Sequence, residues 1–161
     1  ERRVAPGPEL DLKRVVGGLL VQERDREISD RTGMGIVCGE LDEAAWGDVL
    51  FAWRVVKHVT SNAIVLAKGL KTLGVGAGQM SRVDAVRIAV EKAREHGHPL
   101  AGAVLASDAF FPFADGPALA LEAGVTAIVQ PGGSKRDDEV VLAVRDAGAA
   151  MVFTGRRHFR H

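Results

Sequence analysis

Hydrophobic positions follow two rhythms along the chain. Between residues 42 and 58, Trp46, Val49, Leu50, Trp53 and Val56 recur at spacings of three and four. That spacing lays them on one face of an amphipathic helix, with Asp42 near its N-cap. From residue 100 onward the rhythm changes. "LAGAVLAS" (100–107), "VTAIVQ" (125–130) and "AAMVFT" (149–154) are unbroken apolar runs ended by polar or glycine residues. Runs without alternation suit strands buried on both faces. Helical stretches at about 116–123 and 135–147 separate them, and each stops at a glycine, Gly124 or Gly148, placed as a C′ residue. Short helices between buried strands predict βαβ crossovers and a parallel sheet. The recurrence, roughly 24 residues, is βαβ rhythm and carries no solenoid signature.

The first half adds shorter elements. "RVAPGPELD" (3–11) reads as a leading linker, "GGLLVQ" (17–22) and "MGIVCG" (34–39) as strands, and "ERDREISDR" (23–31) as solvated loop. "NAIVLAK" (62–68) and "LGVGAG" (73–78), joined by a short polar turn, read as a hairpin. Ser81-x-x-Asp84 resembles a capping box opening a helix at about 83–96. A hairpin beside parallel strands predicts a three-layer α/β/α sandwich with a mixed sheet. In such open sheets ligands sit beyond the carboxyl ends of the strands. "SDAFFPFADG" (107–116), "QPGGSKRDD" (130–138) and "TGRRHFRH" (154–161) each leave a strand and should crowd one edge.

Composition narrows the partners. Twenty-one Lys plus Arg balance 21 Asp plus Glu, so no net field recruits nucleic acid or an anionic membrane. One cysteine, Cys38, excludes an internal disulfide and a multi-cysteine zinc site, and it fits a reducing cytoplasm. No apolar run approaches 18 residues. With 161 residues and 47% hydrophobic content, the chain can build one sizeable core.

Several motifs carry two readings. Gly74, Gly76 and Gly78 form GxGxG, which is neither the dinucleotide fingerprint nor a P-loop. They serve either a tight strand-to-helix connection or the approach of backbone to an anion, with Arg82 adding charge. Ser134-x-x-Asp137 can cap the following helix, and the glycines before it could equally expose N–H groups to a carboxylate or phosphate. "RRHFRH" follows a buried strand directly; its arginines suit phosphate and its histidines suit proton transfer. His58, Ser61 and Asp108 offer triad residue types, but no G-x-S-x-G elbow accompanies them. Phe110, Phe111 and Phe113, flanked by Asp108 and Asp115, are either core or a platform for a planar ligand. The residues alone stop at a small, anionic, planar ligand held at a sheet edge.

Five ordered blocks are more specific together: "VVKHVTSNAIVLAK", "GVGAGQMSRVDAVRIA", "ASDAFFPFADG", "AGVTAIVQPGGSKRDDEV" and "MVFTGRRHFRH". With "KRVVGGLLVQERD" (13–25) they resemble the C-terminal part of the bifunctional AICAR transformylase / IMP cyclohydrolase family of purine biosynthesis. The resemblance implies a cytidine-deaminase-like fold without the deaminase zinc. It also implies a linker at 1–12 from a missing upstream region and, at 13–161, the C-terminal transformylase subdomain. The family moves a formyl group from 10-formyltetrahydrofolate to the amine of AICAR (phosphoribosylaminoimidazolecarboxamide formyltransferase). That amine is conjugated and weakly nucleophilic, so positioning, a base and stabilisation of a tetrahedral intermediate are needed.

Carried over by resemblance, Asn62, Arg82, Phe110 and Arg157 contact AICAR. Val83, Asp115, Ser134 and Lys135 contact the folate, and His161 lies near the transfer centre. Phe111 and Phe113 are expected to pack the loop down. The family's Lys-His pair belongs to the missing first subdomain, and Lys57-His58 is not that pair, so the isolated chain is expected to be inactive. A potassium ion is implied near Val56, Ser61 and Asp108, although Val59 and Ala63 lack hydroxyls at neighbouring positions. The implied setting is a cytoplasmic homodimer with its sites at the subunit interface. A non-catalytic nucleotide- or folate-binding module, or a dimerisation piece, is the competing reading.

Overall fold

The Asp42 carboxylate accepts a hydrogen bond from the Ala45 N–H at 2.7 Å and so opens α1 (Glu43–Val56). Ser81 does the same for α2 (Arg82–Glu95), its hydroxyl accepting from the Asp84 N–H at 3.5 Å. The reciprocal half of the expected capping box does not form, because Asp84 pairs with Arg87 instead. The remaining helices are α3 (Asp115–Glu122) and α4 (Asp137–Asp146). Both stop where expected, with Gly124 and Gly148 at φ +108° and +70°. The computed structural model describes residues 9–25 and 30–160.

Six strands build the main sheet: β3 (Gly35–Cys38), β4 (Ile64–Lys68), β5 (Lys71–Gly76), β6 (Ala103–Ser107), β7 (Val125–Gln130) and β8 (Ala150–Phe153). Their order is β3-β8-β7-β6-β4-β5. Strands β6, β7 and β8 run parallel, while β3, β4 and β5 pair antiparallel with their neighbours. The sheet is therefore mixed, as the hairpin predicted. Helix α1 covers one face, where Val49, Ala52, Trp53 and Val56 meet Val65, Val104, Val129 and Val152. Helices α2, α3 and α4 cover the other, over Ile64, Leu66, Leu105, Ile128 and Met151. Alternate residues of one strand thus serve opposite cores, which is why the strands read as unbroken apolar runs.

Gly74 and Gly76 explain how closely α2 approaches the sheet. A Cβ at Gly74 would lie 2.1 Å from the Ala89 carbonyl oxygen, and one at Gly76 would lie 1.9 Å from that of Ala85. Of the two readings of GxGxG, these glycines take the packing one. Only Gly78, at φ +66°, serves a turn.

A second, two-stranded sheet stands apart: β1 (Leu10–Val15) pairs antiparallel with β2 (Gly18–Glu23). Strand β1 begins at Leu10, inside the stretch expected to be linker. One of its faces presents Leu10, Leu12, Leu19 and Val21, each 50–62% exposed.

Candidate functional site

Register brings the site loops together. Ile64 at the start of β4 lies opposite both Gly76 at the end of β5 and Ser107 at the end of β6. Segments 61–63, 77–82 and 107–116 therefore leave the sheet at one edge, beside the exits of β7 and β8. Arg82, the first residue of α2, ties them together. Its side chain is 9% exposed, and Nη1 donates to Ser107 Oγ at 2.8 Å and to Asp108 Oδ1 at 2.5 Å. Nη2 donates to Asn62 Oδ1 at 2.8 Å. The Asn62 amide donates onward to the Gln79 and Met80 carbonyls at 2.9 and 3.3 Å. Asp108 is fully buried, and its Oδ1 also accepts from the Ala63 N–H at 3.1 Å. Its Oδ2 is buried with no hydrogen-bond partner among the described residues.

Above this network lies an open cavity of about 470 Å³, a volume suited to a small-molecule ligand. Asn62, Arg82, Phe110 and Arg157 all line it, together with Val83 and Asp115. The α2 N-terminus contributes Ser81 and a positive dipole end. Phe111 and Phe113 divide differently from expectation. Phe111 is 1% exposed, and its N–H donates to the buried Gln130 Oε1 at 2.7 Å, so it does anchor the loop. Phe113 is 50% exposed, lines the cavity and lies 4.9 Å beneath the Arg136 guanidinium, so it is not core.

Ser134 and Lys135 sit in the loop leaving β7 and are not part of the cavity lining. Nor does Ser134 cap α4. The roles are reversed: Asp137 Oδ2 reaches back to the Gly133 and Ser134 N–H groups at 2.6 and 3.2 Å, while Ser134 Oγ accepts from the Arg136 N–H at 3.1 Å. Asp115 is likewise no N-cap. It is the first residue of α3, and its Oδ1 accepts from the adjacent Gly116 N–H, at 2.8 Å. His58 makes no triad with Asp108, whose carboxylate is held by Arg82. His161 lies outside the described residues. Among the described residues the cavity lining contains no Lys and no His.

Of the residues implied for a cation, Asp108 offers one unpartnered buried oxygen. Ser61 Oγ already accepts from the Arg160 N–H at 3.2 Å, and the Val56 carbonyl accepts from the Val59 N–H at 3.0 Å. Each of those oxygens keeps a further lone pair.

One cluster escaped the sequence reading. Asp25, placed in solvated loop, pairs with Lys57 Nζ at 3.2 Å and with His158 Nδ1. Burial pushes the Asp25 carboxyl up, but the hydrogen bonds and charges of His158 and Lys57 outweigh it and hold the group below the usual carboxylate value. His158 and Asp25 are 133 residues apart, and no local pattern could have joined them.

A bifunctional purine biosynthesis protein PurH from Magnetococcus marinus is 58% identical over 160 residues, covering 94% of this chain and 30% of that protein. Proteins of the same name from Chelativorans sp. and Cereibacter sphaeroides are 56% and 55% identical, covering 96% and 98% of this chain. The chain thus spans about 30% of the length of these curated relatives. Among solved structures, a Thermotoga maritima diaminohydroxyphosphoribosylaminopyrimidine deaminase / 5-amino-6-(5-phosphoribosylamino)uracil reductase aligns at a TM-score of 0.43 and 23% identity, over 63% of this chain and 32% of that one. A sequence model of the AICARFT/IMPCHase bienzyme matches residues 2–92, more than half the chain, and with the relatives it shows that this chain belongs to the AICARFT/IMPCHase bienzyme family.

Proposed function

We propose that the chain is the C-terminal subdomain of an AICAR transformylase, acting in purine biosynthesis and supplying the binding half of a formyl-transfer site. One observation carries this reading. The cavity collects an aromatic face, two arginines, a helix N-terminus and one carboxylate, and among the described residues its lining includes no Lys or His to move a proton. Such a lining suits holding and orienting two ligands, with the acid–base pair arriving from another part of the protein. In this reading Asn62, Arg82, Phe110 and Arg157 hold AICAR. Val83 and Asp115 face the pterin of 10-formyltetrahydrofolate, and Ser134 and Lys135 act further along the folate, beyond the cavity. His161 stands near the transfer centre. A potassium ion would be held by Asp108 Oδ2 with the Val56 carbonyl and Ser61 Oγ, giving the unpartnered carboxylate oxygen a ligand.

The partners in this reading are the remaining portion of the polypeptide and a second subunit. The apolar hairpin face of Leu10, Leu12, Leu19 and Val21 gives such a contact something to cover. The same face also favours the second reading, a dimerisation module that binds nucleotide without catalysing. Formyl transfer measured on the chain alone and on the chain joined to its upstream region separates them. Turnover only in the joined protein supports the transferase reading, and its absence from both supports the binding module.

Asp115 provides the sharper test. Asp115→Asn keeps the shape but replaces one acceptor oxygen with a donor. An unsatisfied partner on the pterin costs about 1–3 kcal/mol, roughly 5- to 150-fold in affinity. The variant should therefore weaken the formyl donor by that factor and leave AICAR binding unchanged. Separate titrations of the two ligands check it. Equal losses for both, with a lowered melting temperature, would remove Asp115 from the folate site.

A further inference from the structure

His158 is only 3% exposed, although Arg157 and Phe159 on either side of it are exposed and line the cavity. Successive side chains of this tail therefore alternate between cavity and interior. Inside, the His158 ring packs on Trp53, with centroids 4.6 Å apart. Its Nδ1 is hydrogen-bonded to Asp25 Oδ2, while Nε2 is buried without a hydrogen-bond partner among the described residues. The ring's orientation thus depends on one polar contact. The second Asp25 oxygen is taken by Lys57 Nζ at 3.2 Å, from a side chain only 10% exposed at the end of α1. Backbone bonds continue the seam. The His158 N–H donates to the Asp108 carbonyl at 3.0 Å, the Ser61 N–H donates to the Arg160 carbonyl at 2.9 Å, and Gln22 Nε2 donates to the Phe159 carbonyl at 3.3 Å. The tail is held between the exit of β2, the end of α1 and the loop after β6.

We propose that Asp25, His158 and Lys57 form a clasp that fixes the register of the C-terminal tail and so presents Arg157 and Phe159 to the cavity. Asp25 and His158 are positioning residues, touching no ligand themselves. An apolar side chain at 158 would pack on Trp53 as well, but it would supply no directional bond to set the register. The positioning role rests on the cavity being the AICAR site proposed above; the clasp itself does not.

The test uses Asp25→Asn, His158→Leu and the double variant of the whole chain. Asn keeps the shape at 25, and Leu keeps apolar contact with Trp53, so all three should fold. Hydrogen exchange at the Ser61 and His158 amides reads tail docking directly. Losing a charge-assisted bond should speed it by about 10- to 100-fold. AICAR, titrated separately from 10-formyltetrahydrofolate, should bind about 3- to 10-fold more weakly as the competent tail population falls, with folate affinity unchanged. The double variant should be no worse than the worse single one, because the two residues act through each other. A control away from the tail, Asp48→Ala on α1, whose carboxylate accepts from the Gly69 and Leu70 N–H groups of the β4–β5 turn at 2.8 and 2.6 Å, should move neither readout. Unchanged exchange in the variants would overturn the clasp whatever happens to binding. Faster exchange with unaltered AICAR affinity, or equal losses for both ligands, would overturn the positioning role. Faster exchange in variants of a wild type that binds no AICAR would support the clasp and count against the nucleotide reading alone.

Discussion

Replacing Arg82 with methionine is expected to cost about 3–5 kcal/mol of folding stability, a large part of what a domain of this size possesses. The reason lies in Asp108. Its side chain is fully buried, and among the described residues its Oδ1 is held by the Arg82 guanidinium, at 2.5 Å, and the Ala63 backbone N–H. Methionine fills similar space but leaves that carboxylate buried and uncompensated. Asn62 Oδ1 and Ser107 Oγ lose the same donor. The loss should therefore be conditional on the charge at 108. Arg82→Met combined with Asp108→Asn should recover much of the stability, because a neutral amide no longer needs the cation. Urea unfolding of both variants checks this. Equal destabilisation in single and double variants would mean that Arg82 stabilises by packing alone. Repeating the unfolding in potassium and in choline salts adds a second reading. An ion on Asp108 Oδ2 would reduce the cost of Arg82→Met in potassium only. AICAR binding should stay absent in the double variant, since restoring the fold does not restore the guanidinium.

The elements that local chemistry specifies were legible. Asp42 and Ser81 cap the helices they were expected to open, and Gly124 and Gly148 close two others, because a cap needs only a few neighbouring residues. The mixed sheet followed from unbroken runs beside a hairpin. That Arg82, Phe110 and Arg157 line one cavity followed from each leaving or joining a strand at the same sheet edge. Choices among equally local bonds were less legible. Asp137, not Ser134, reaches into its neighbouring turn, because a carboxylate can accept from Gly133 and Ser134 together. Phe111 and Phe113 have the same chemistry, and it is the Phe111 N–H that meets the buried Gln130 on β7, a contact 19 residues away in sequence. Contacts between distant segments left no trace. Asp25 and Lys57 look like ordinary surface charges until the tail is laid against them.

Gly76→Ala tests the least visible of these constraints, and its expected cost is about 3 kcal/mol or more. A single methyl group is a small change, and at most strand positions it would be neutral or favourable through lower unfolded-state entropy. Here the added Cβ would stand 1.9 Å from the Ala85 carbonyl oxygen and 2.9 Å from its Cα. Both are backbone atoms of α2, so no side chain can rotate away. Relief requires α2 to lift from β5 by more than about 1 Å, opening the packing of Ala85, Val86, Ala89 and Val90 on the sheet. Lifting α2 also moves Arg82 and Val83 at its N-terminus, so ligand affinity should fall together with stability. An anion-cradle role for the glycines predicts another pattern. The variant would keep its melting temperature and lose affinity for phosphate-bearing ligands only. Thermal unfolding, with AICAR and a ligand lacking phosphate titrated in parallel, distinguishes the two. A stable Gly76→Ala protein with a selective phosphate defect would return these glycines to the binding site.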